Sequence, residues 1–248
     1  MTHSSEDNII RHDLQTVAFY NIENLFDIYD DSRTYDNDFT PVNVKKWTPK
    51  RYENKLHKLG FAISNISKKE TGKHPALVGL AEVENAKVIK DLIASQHLKD
   101  CNYNYVHYDS LDERGIDVAL LYDSTAFKVL HSEIFKIDLT NEDGEPDYTR
   151  DILLVTGLLD GEQIHVLVNH WSSRREGEKE SEPKRMISSH KVTEIITSLR
   201  LENTDAKIVV LGDFNDNPSN NSIKSMVENS NLYNPSFVVS NLPSNSIV

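Results

Sequence analysis

One cysteine, nine glycines and no long apolar run set the first limits on this 248-residue chain. Cys101 alone cannot close an internal disulfide, and it says little about compartment. No stretch approaches ~18 consecutive apolar residues, so no transmembrane helix is expected. The first fifteen residues are polar and lack the apolar segment of a secretory leader, which points to the cytoplasm and leaves export open. The glycines form no phosphate loop, no cysteine pattern suits zinc, and no serine sits in a nucleophile elbow. P-loop NTPase, zinc hydrolase and serine hydrolase are disfavoured on those grounds.

Basic charge is scarce too. The formal net charge is −12, and residues 1–40 hold nine acids against two arginines. From Lys45 to Lys58 the balance reverses, with Lys45, Lys46, Lys50, Arg51, Lys55 and Lys58 facing only Glu53. A dedicated high-affinity nucleic-acid binder would neutralise many phosphates, and bulk acidity argues against one. An enzyme meeting a phosphodiester at one local site stays open. The basic run itself reads as the solvated face of a helix.

The length suits one large domain or two small ones, and no repeat or low-complexity linker divides the chain. The organisation expected is a polar segment over 1–15 and one domain over 16–248. Thr16–Asn21 reads as a buried strand and Asp27–Asp38 as an exposed acidic loop. Thr48 and Pro49 open a helix whose Leu56, Leu59, Ile63 and Ile66 share a face. Ala76–Ala81 is a strand, and Asn85 caps the helix carrying Val88, Leu92 and Ile93. Strands follow at Tyr103–His107, Ile116–Tyr122 and Phe127–Ile137. Asp160-Gly161 then joins Ile152–Leu159 to Gln163–His170 in a tight hairpin. A helix over Pro183–Leu201, a strand over Lys207–Leu211 and a helix near Asn220–Asn229 complete the pattern. Helices near both ends, with strands and hairpins between, point to sheets carrying helices on their outer faces.

Four of the apolar strands end in polar clusters of complementary chemistry. They close on Asn21-Ile22-Glu23-Asn24, Glu82-Val83-Glu84-Asn85, Asn169-His170-Trp171 and Gly212-Asp213-Phe214-Asn215-Asp216. A carboxylate such as Glu82 suits Mg²⁺, which takes oxygen ligands and keeps waters for phosphate to displace. Asp213 can orient or deprotonate water, and the Asn215 amide can bind a phosphate oxygen without adding charge. Strand alternation would aim Asp213 with Asn215, Asn21 with Glu23, and Glu82 with Glu84. Taken singly, Gly212-Asp213 is equally a turn, Glu82 and Glu84 are equally solvated acids, and Asn85 is a helix cap. Asn169, Ser173 and Arg174 crowd polar and cationic groups around His170. The remaining histidines show no ligand spacing.

With these residues in view, the chain resembles the endonuclease/exonuclease/phosphatase superfamily, of deoxyribonuclease-I-like fold. The resemblance runs from about Thr16 to Tyr233. It is carried by Phe19-Tyr20-Asn21-Ile22-Glu23-Asn24, Arg114-Gly115-Ile116-Asp117, Thr149-Arg150-Asp151, Asn169-His170-Trp171, Glu182-Pro183-Lys184-Arg185 and Gly212-Asp213-Phe214-Asn215. It implies an α+β fold, a four-layer α/β/β/α sandwich of two mostly antiparallel sheets with outer helices. It also implies cleavage of phosphoesters, DNA or RNA among them, with Mg²⁺ or Mn²⁺. Carried over residue by residue, Glu82 is the principal metal ligand and Asn21 lies beside metal and phosphate. His170, Asp213 and Asn215 are catalytic, and Asp117 orients His170. Arg114 and Arg150, with Asn169 and Arg174, fall where substrate is bound.

One departure stands out. The superfamily closes with a strand carrying Asp-His or Asp-Gln, whereas no Asp and no His follows Asp216 here. The last core strand is therefore expected to be missing and the domain incomplete at its C-terminus. Three functions follow in order: a metal-dependent phosphodiesterase or endonuclease, a phosphatase for small or lipid-linked phosphomonoesters, and a non-catalytic metal- and phosphate-binding module.

Overall fold

The structure, a computed structural model, describes residues 10–31, 34–141 and 143–235. In chain order its elements are β1 (Val17–Leu25), α1 (Pro49–Asn65), α2 (Lys68–Thr71), β2 (Leu77–Val83), α3 (Ala86–Ile93), β3 (Tyr103–His107), β4 (Asp117–Asp123) and β5 (Phe127–Phe135). There follow β6 (Leu139–Thr140), β7 (Pro146–Asp147), β8 (Ile152–Leu159), β9 (Glu162–His170), α4 (Glu178–Glu202), β10 (Lys207–Asp213) and α5 (Asn221–Asn229).

Local signals account for several boundaries. The Thr48 hydroxyl accepts from the Arg51 N–H, with Pro49 at the first helical position of α1. Asn85 caps α3 through the N–H groups of Lys87 and Val88. Two expectations need correction. α4 begins at Glu178, so Pro183 lies inside it and removes one hydrogen bond near its start. The Asp27–Asp38 stretch is not uniformly exposed, because Asp27 and Asp36 are buried.

The strands form two four-stranded sheets, ordered β1-β2-β4-β3 and β10-β9-β8-β5, with β6 and β7 paired separately. Alternation sorts their side chains into layers. Leu77, Ala81, Val118 and Leu120 face Leu153, Val155, Val166, Val168 and Leu211 between the sheets. Val78, Leu80, Ala119 and Leu121 pack outward under α1 and α3. Ile152, Leu154 and Leu167 pack outward under α4 and α5. The result is the expected four-layer sandwich. The expected lack of a closing strand bears on residues 236–248, which lie outside the described residues.

Two pairings within the otherwise antiparallel sheets are parallel. β1 lies beside β2 with Asn21 opposite Ala81, and β9 beside β10 with His170 opposite Asp213. Parallel neighbours end at the same edge, so each sheet delivers two strand ends together.

The sheets pack closely at Gly79. A Cβ there would collide with Leu211 and press on Val168 and Phe19. Gly79→Val is therefore expected to cost roughly 1–3 kcal/mol by overpacking. It should lower the urea midpoint at unchanged m-value, and an unaltered midpoint would show that the layers part freely.

Candidate active site

β1 and β2 do not run straight to their ends. Their registers slip between Asn21 and Leu25 and between Ala81 and Val83. Glu23, Asn24 and Glu82 take left-handed backbone at φ 54°, 56° and 67°. Non-glycine residues there cost on the order of 1 kcal/mol or more each, and bulges re-aim side chains. Simple alternation therefore fails at both ends. Glu84 turns away from Glu82 and accepts the backbone N–H of Asp27. Burial, with Asp27 and Asp36 nearby, lifts its carboxyl to about 8. Glu23 is exposed.

What the bulges leave is a compact cluster drawn from both sheets. The Asn21 side-chain NH₂ donates to Glu82 Oε1 at 3.2 Å and to Asp213 Oδ2 at 2.9 Å. The second oxygen of Asp213 accepts the Asn215 N–H at 3.0 Å. The Asn215 amide donates to the Trp171 carbonyl at 3.1 Å. His170 Nε2 stands 3.9 Å from Glu82 Oε1. Thus Asn21, Glu82, His170, Asp213 and Asn215, which the sequence singles out, do come together.

The imidazole of His170 is only 3 % exposed, and its Nδ1 has no hydrogen-bond partner. Burial, then the cations Arg150 and Arg114, holds its pKa well below the ordinary value, so the ring is neutral near pH 7. Arg150 is buried and supports the strand end. It donates to the carbonyls of His170 and Trp171 at 3.2 and 2.6 Å and pairs with Asp112 at 2.9 Å. Arg114 is part-exposed, 3.6 Å from Asp112, and within electrostatic reach of Glu82.

Four sequence-based assignments change, the first being Arg150, expected at the substrate but buried and committed to Asp112 and two backbone carbonyls. Asp117 lies 3.3 Å from Nε2 of His107, without a hydrogen bond to it, and does not pair with His170. The register of β3 on β4 sets His107 opposite Ala119, two residues from Asp117. Asn169 is fully buried, donating to the carbonyls of Leu167 and Leu211 and accepting from the Trp171 indole. Arg174 is committed to Asn215 O, Asp216 and Glu178. Both therefore brace the strand ends. The sequence reading missed Asp112, which holds Arg150, and gave no role to Asp216, whose buried carboxylate forms ion pairs with Arg174 and Arg185, each at 2.8 Å.

The basic run is solvated as expected, with Lys45, Lys46, Lys50, Arg51 and Lys58 exposed and Lys55 part-buried, but it does more than face solvent. Arg51, Lys55 and Lys58 line a cavity of about 400 Å³ that reaches Tyr20, Asn21 and Trp47. A second cavity, about 680 Å³, is lined by Asp31, Glu84, Asp109, Asp112, Glu113 and Asp117, with no Lys or Arg.

The donors at the cluster decide what it can hold. Two carboxylates from different sheets, both drawn to one amide, offer oxygen ligands and no thiol. Such a set fits a hard divalent cation. His107, Asp109 and Asp117 form a separate group, with ligand atoms within 4.8 Å of one another.

A family model described as "Endonuclease/Exonuclease/phosphatase family" matches residues 16–241. Among curated proteins none matches the chain. The human Nocturnin catalytic domain, solved with a bound sulfate anion, is 20% identical, with TM-score 0.52 over 71% of this chain and 62% of that one. Sphingomyelinase C from Streptomyces griseocarneus is 14% identical, with TM-score 0.52 over 72% and 64%. An endonuclease/exonuclease/phosphatase family protein from Bacteroides thetaiotaomicron is 16% identical, with TM-score 0.51 over 70% and 59%. The chain thus spans under two thirds of the length of each. At these identities the likeness is one of fold. Among the described residues no helix is long and apolar enough to cross a membrane.

Proposed function

We propose, for a chain that belongs to the endonuclease/exonuclease/phosphatase family of metal-dependent phosphoester hydrolases, that its reaction is hydrolysis of a phosphodiester by in-line attack of water. The observation that carries this reading is the Asn21 amide lying between Glu82 and Asp213, carboxylates delivered by different sheets.

Glu82 and Asp213, with Asn21 beside them, would hold Mg²⁺ or Mn²⁺. When bound, the cation polarises a phosphoryl oxygen and offsets the charge of the two carboxylates. The remaining roles belong to the protein's own groups. Asp213, fixed by hydrogen bonds at both oxygens, orients the attacking water and takes its proton. Asn215 spends one amide hydrogen on Trp171 and keeps the other for a phosphate oxygen. His170, neutral by burial, offers a hydrogen bond to the transferring phosphoryl group without adding charge. Arg114, part-exposed and near Glu82, supplies a cation for a non-bridging oxygen.

Turnover of plasmid DNA, an aryl phosphodiester, sugar phosphates and phosphoinositides tests the reading, with Mg²⁺ or Mn²⁺ and then with EDTA. Diester cleavage that EDTA abolishes is the expected result. Cleavage that survives EDTA would sink the mechanism. Turnover confined to monoesters would make the chain a phosphatase, and metal binding without turnover would make it a binding module.

A further inference from the structure

Charge is distributed unevenly around the cluster. The chain is acidic overall, yet the cavity meeting Asn21 on the α1 side carries Arg51, Lys55 and Lys58 against Glu23 alone. The larger cavity is lined by six acidic residues and no Lys or Arg; Glu84 is protonated near pH 7 and Asp112 is paired with Arg150, which leaves Asp31, Asp109, Glu113 and Asp117. The balance of charge favours the first for a polyanion, since a cleft dominated by one sign of charge with low-dielectric walls focuses its field.

The cations of the α1 cavity are held ready. Trp47 is buried and anchored by its indole N–H on the Phe26 carbonyl at 2.8 Å. Arg51 and Lys55 lie over its ring at 5.6 and 5.7 Å. Arg51 donates to the carbonyls of Lys45 and Lys46, and Lys55 to that of Glu23. Neither is in a salt bridge with a carboxylate among the described residues, and Lys58 is exposed one turn further along α1. Burial lowers the pKa of Lys55, so its ammonium is partly stripped of water before any ligand arrives. Glu23 and Glu82 act on it electrostatically without forming an ion pair, so a phosphate that comes with the substrate can add the direct charge-assisted hydrogen bonds it lacks.

We infer that Arg51, Lys55 and Lys58 form a subsite for a second phosphate on the substrate, next to the one hydrolysed. This rests on the hydrolytic reading of the cluster and gives it a substrate class: phosphodiesters that carry a further phosphate. A nucleic-acid strand and a multiply phosphorylated sugar share that chemistry.

The test has two arms. In EDTA, so that no turnover is needed, binding of a fluorescent single-stranded oligonucleotide and of a sugar bisphosphate is measured against salt. Lys58→Glu is the principal variant because Lys58 is exposed and its replacement leaves the fold intact; Lys55→Gln is the second, and exposed Lys99→Glu is the control. Each subsite variant should weaken binding about tenfold or more, as removal of a charge-assisted hydrogen bond does. The oligonucleotide salt slope should fall by about one for each phosphate that is no longer neutralised. Lys99→Glu should match wild type. In Mg²⁺, the ratio of kcat/KM for the polyanion to kcat/KM for an aryl phosphodiester should fall similarly.

An effect on the oligonucleotide alone identifies a strand, and an effect on the bisphosphate alone identifies a sugar. Wild-type affinity and salt slope in both subsite variants would overturn the subsite, even if the aryl diester is hydrolysed. Absence of all hydrolysis with the binding effects intact would instead remove the proposed reaction and leave the subsite standing.

Discussion

Glu82→Gln should abolish most of the rise in melting temperature that millimolar Mg²⁺ or Mn²⁺ gives the wild-type protein. Glu82 and Asp213 approach the same amide nitrogen, so their carboxylates lie close and repel when no cation is present. An ion that binds only the folded state adds RT ln(1 + [L]/Kd), about 2.7 kcal/mol at a hundredfold excess over Kd. For a domain of this size that is roughly 5–10 °C. Gln keeps the shape and an acceptor oxygen but loses the charge a hard cation needs. Asp205→Asn, on an exposed turn before the start of β10, at the opposite end of that strand from Asp213, is the control and should keep the full response. Asp27 would serve poorly, because it is buried and accepts the Tyr29 N–H. Equal metal responses in wild type and Glu82→Gln would show that Glu82 is not a ligand.

The second large effect concerns stability. Arg150→Met should cost about 3–5 kcal/mol, the usual result of removing one partner of a buried ion pair. The side chains of Arg150 and Asp112 are 6 % and 5 % exposed and 2.9 Å apart. Without the guanidinium, Asp112 keeps a buried charge and the carbonyls of His170 and Trp171 each lose one donor, Trp171 keeping that of Asn215. Urea unfolding reads the loss directly, and adding Asp112→Asn should recover part of it. A single variant within about 1 kcal/mol of wild type would mean that Asp112 protonates or re-pairs at little cost. Because Arg150 holds the His170 carbonyl, the same ion pair fixes where the imidazole sits.

How far the sequence anticipates all this depends on whether the signal is local. Strand and cap positions are local. Asp160-Gly161 sets Leu159 opposite Glu162 and so fixes the β8–β9 register that carries His170 to the edge. Asn85 is a cap because its side chain reaches its own helix. The convergence of Asn21, Glu82, His170, Asp213 and Asn215 is legible because each lies at or just past the end of an apolar run and the residue types are unusual together. Bulges are different. Nothing near Glu82 announces its left-handed backbone, which sends Glu84 toward Asp27. Long-range pairing is equally hidden: Asp112 selects Arg150 across 38 residues, and Asp117 meets His107 through a sheet register that composition does not reveal. The basic run of α1 is readable as charge but not as the wall of a cavity. Pro183 misplaces the start of α4, since a proline near a helix start costs one hydrogen bond without ending the helix.

The most direct test of a single metal-dependent site built by both sheets is a double-mutant cycle on Glu82→Gln and Asp213→Asn. The observable is Mg²⁺-dependent kcat/KM on an aryl phosphodiester. Residues that act as a unit give grossly non-additive losses. The expected result is a large loss in each single variant, on the order of 10²-fold or more for Asp213 as the proton acceptor, and a double variant little worse than the poorer single. Losses that multiply would mean that Glu82 and Asp213 act independently, and that would contradict a shared site.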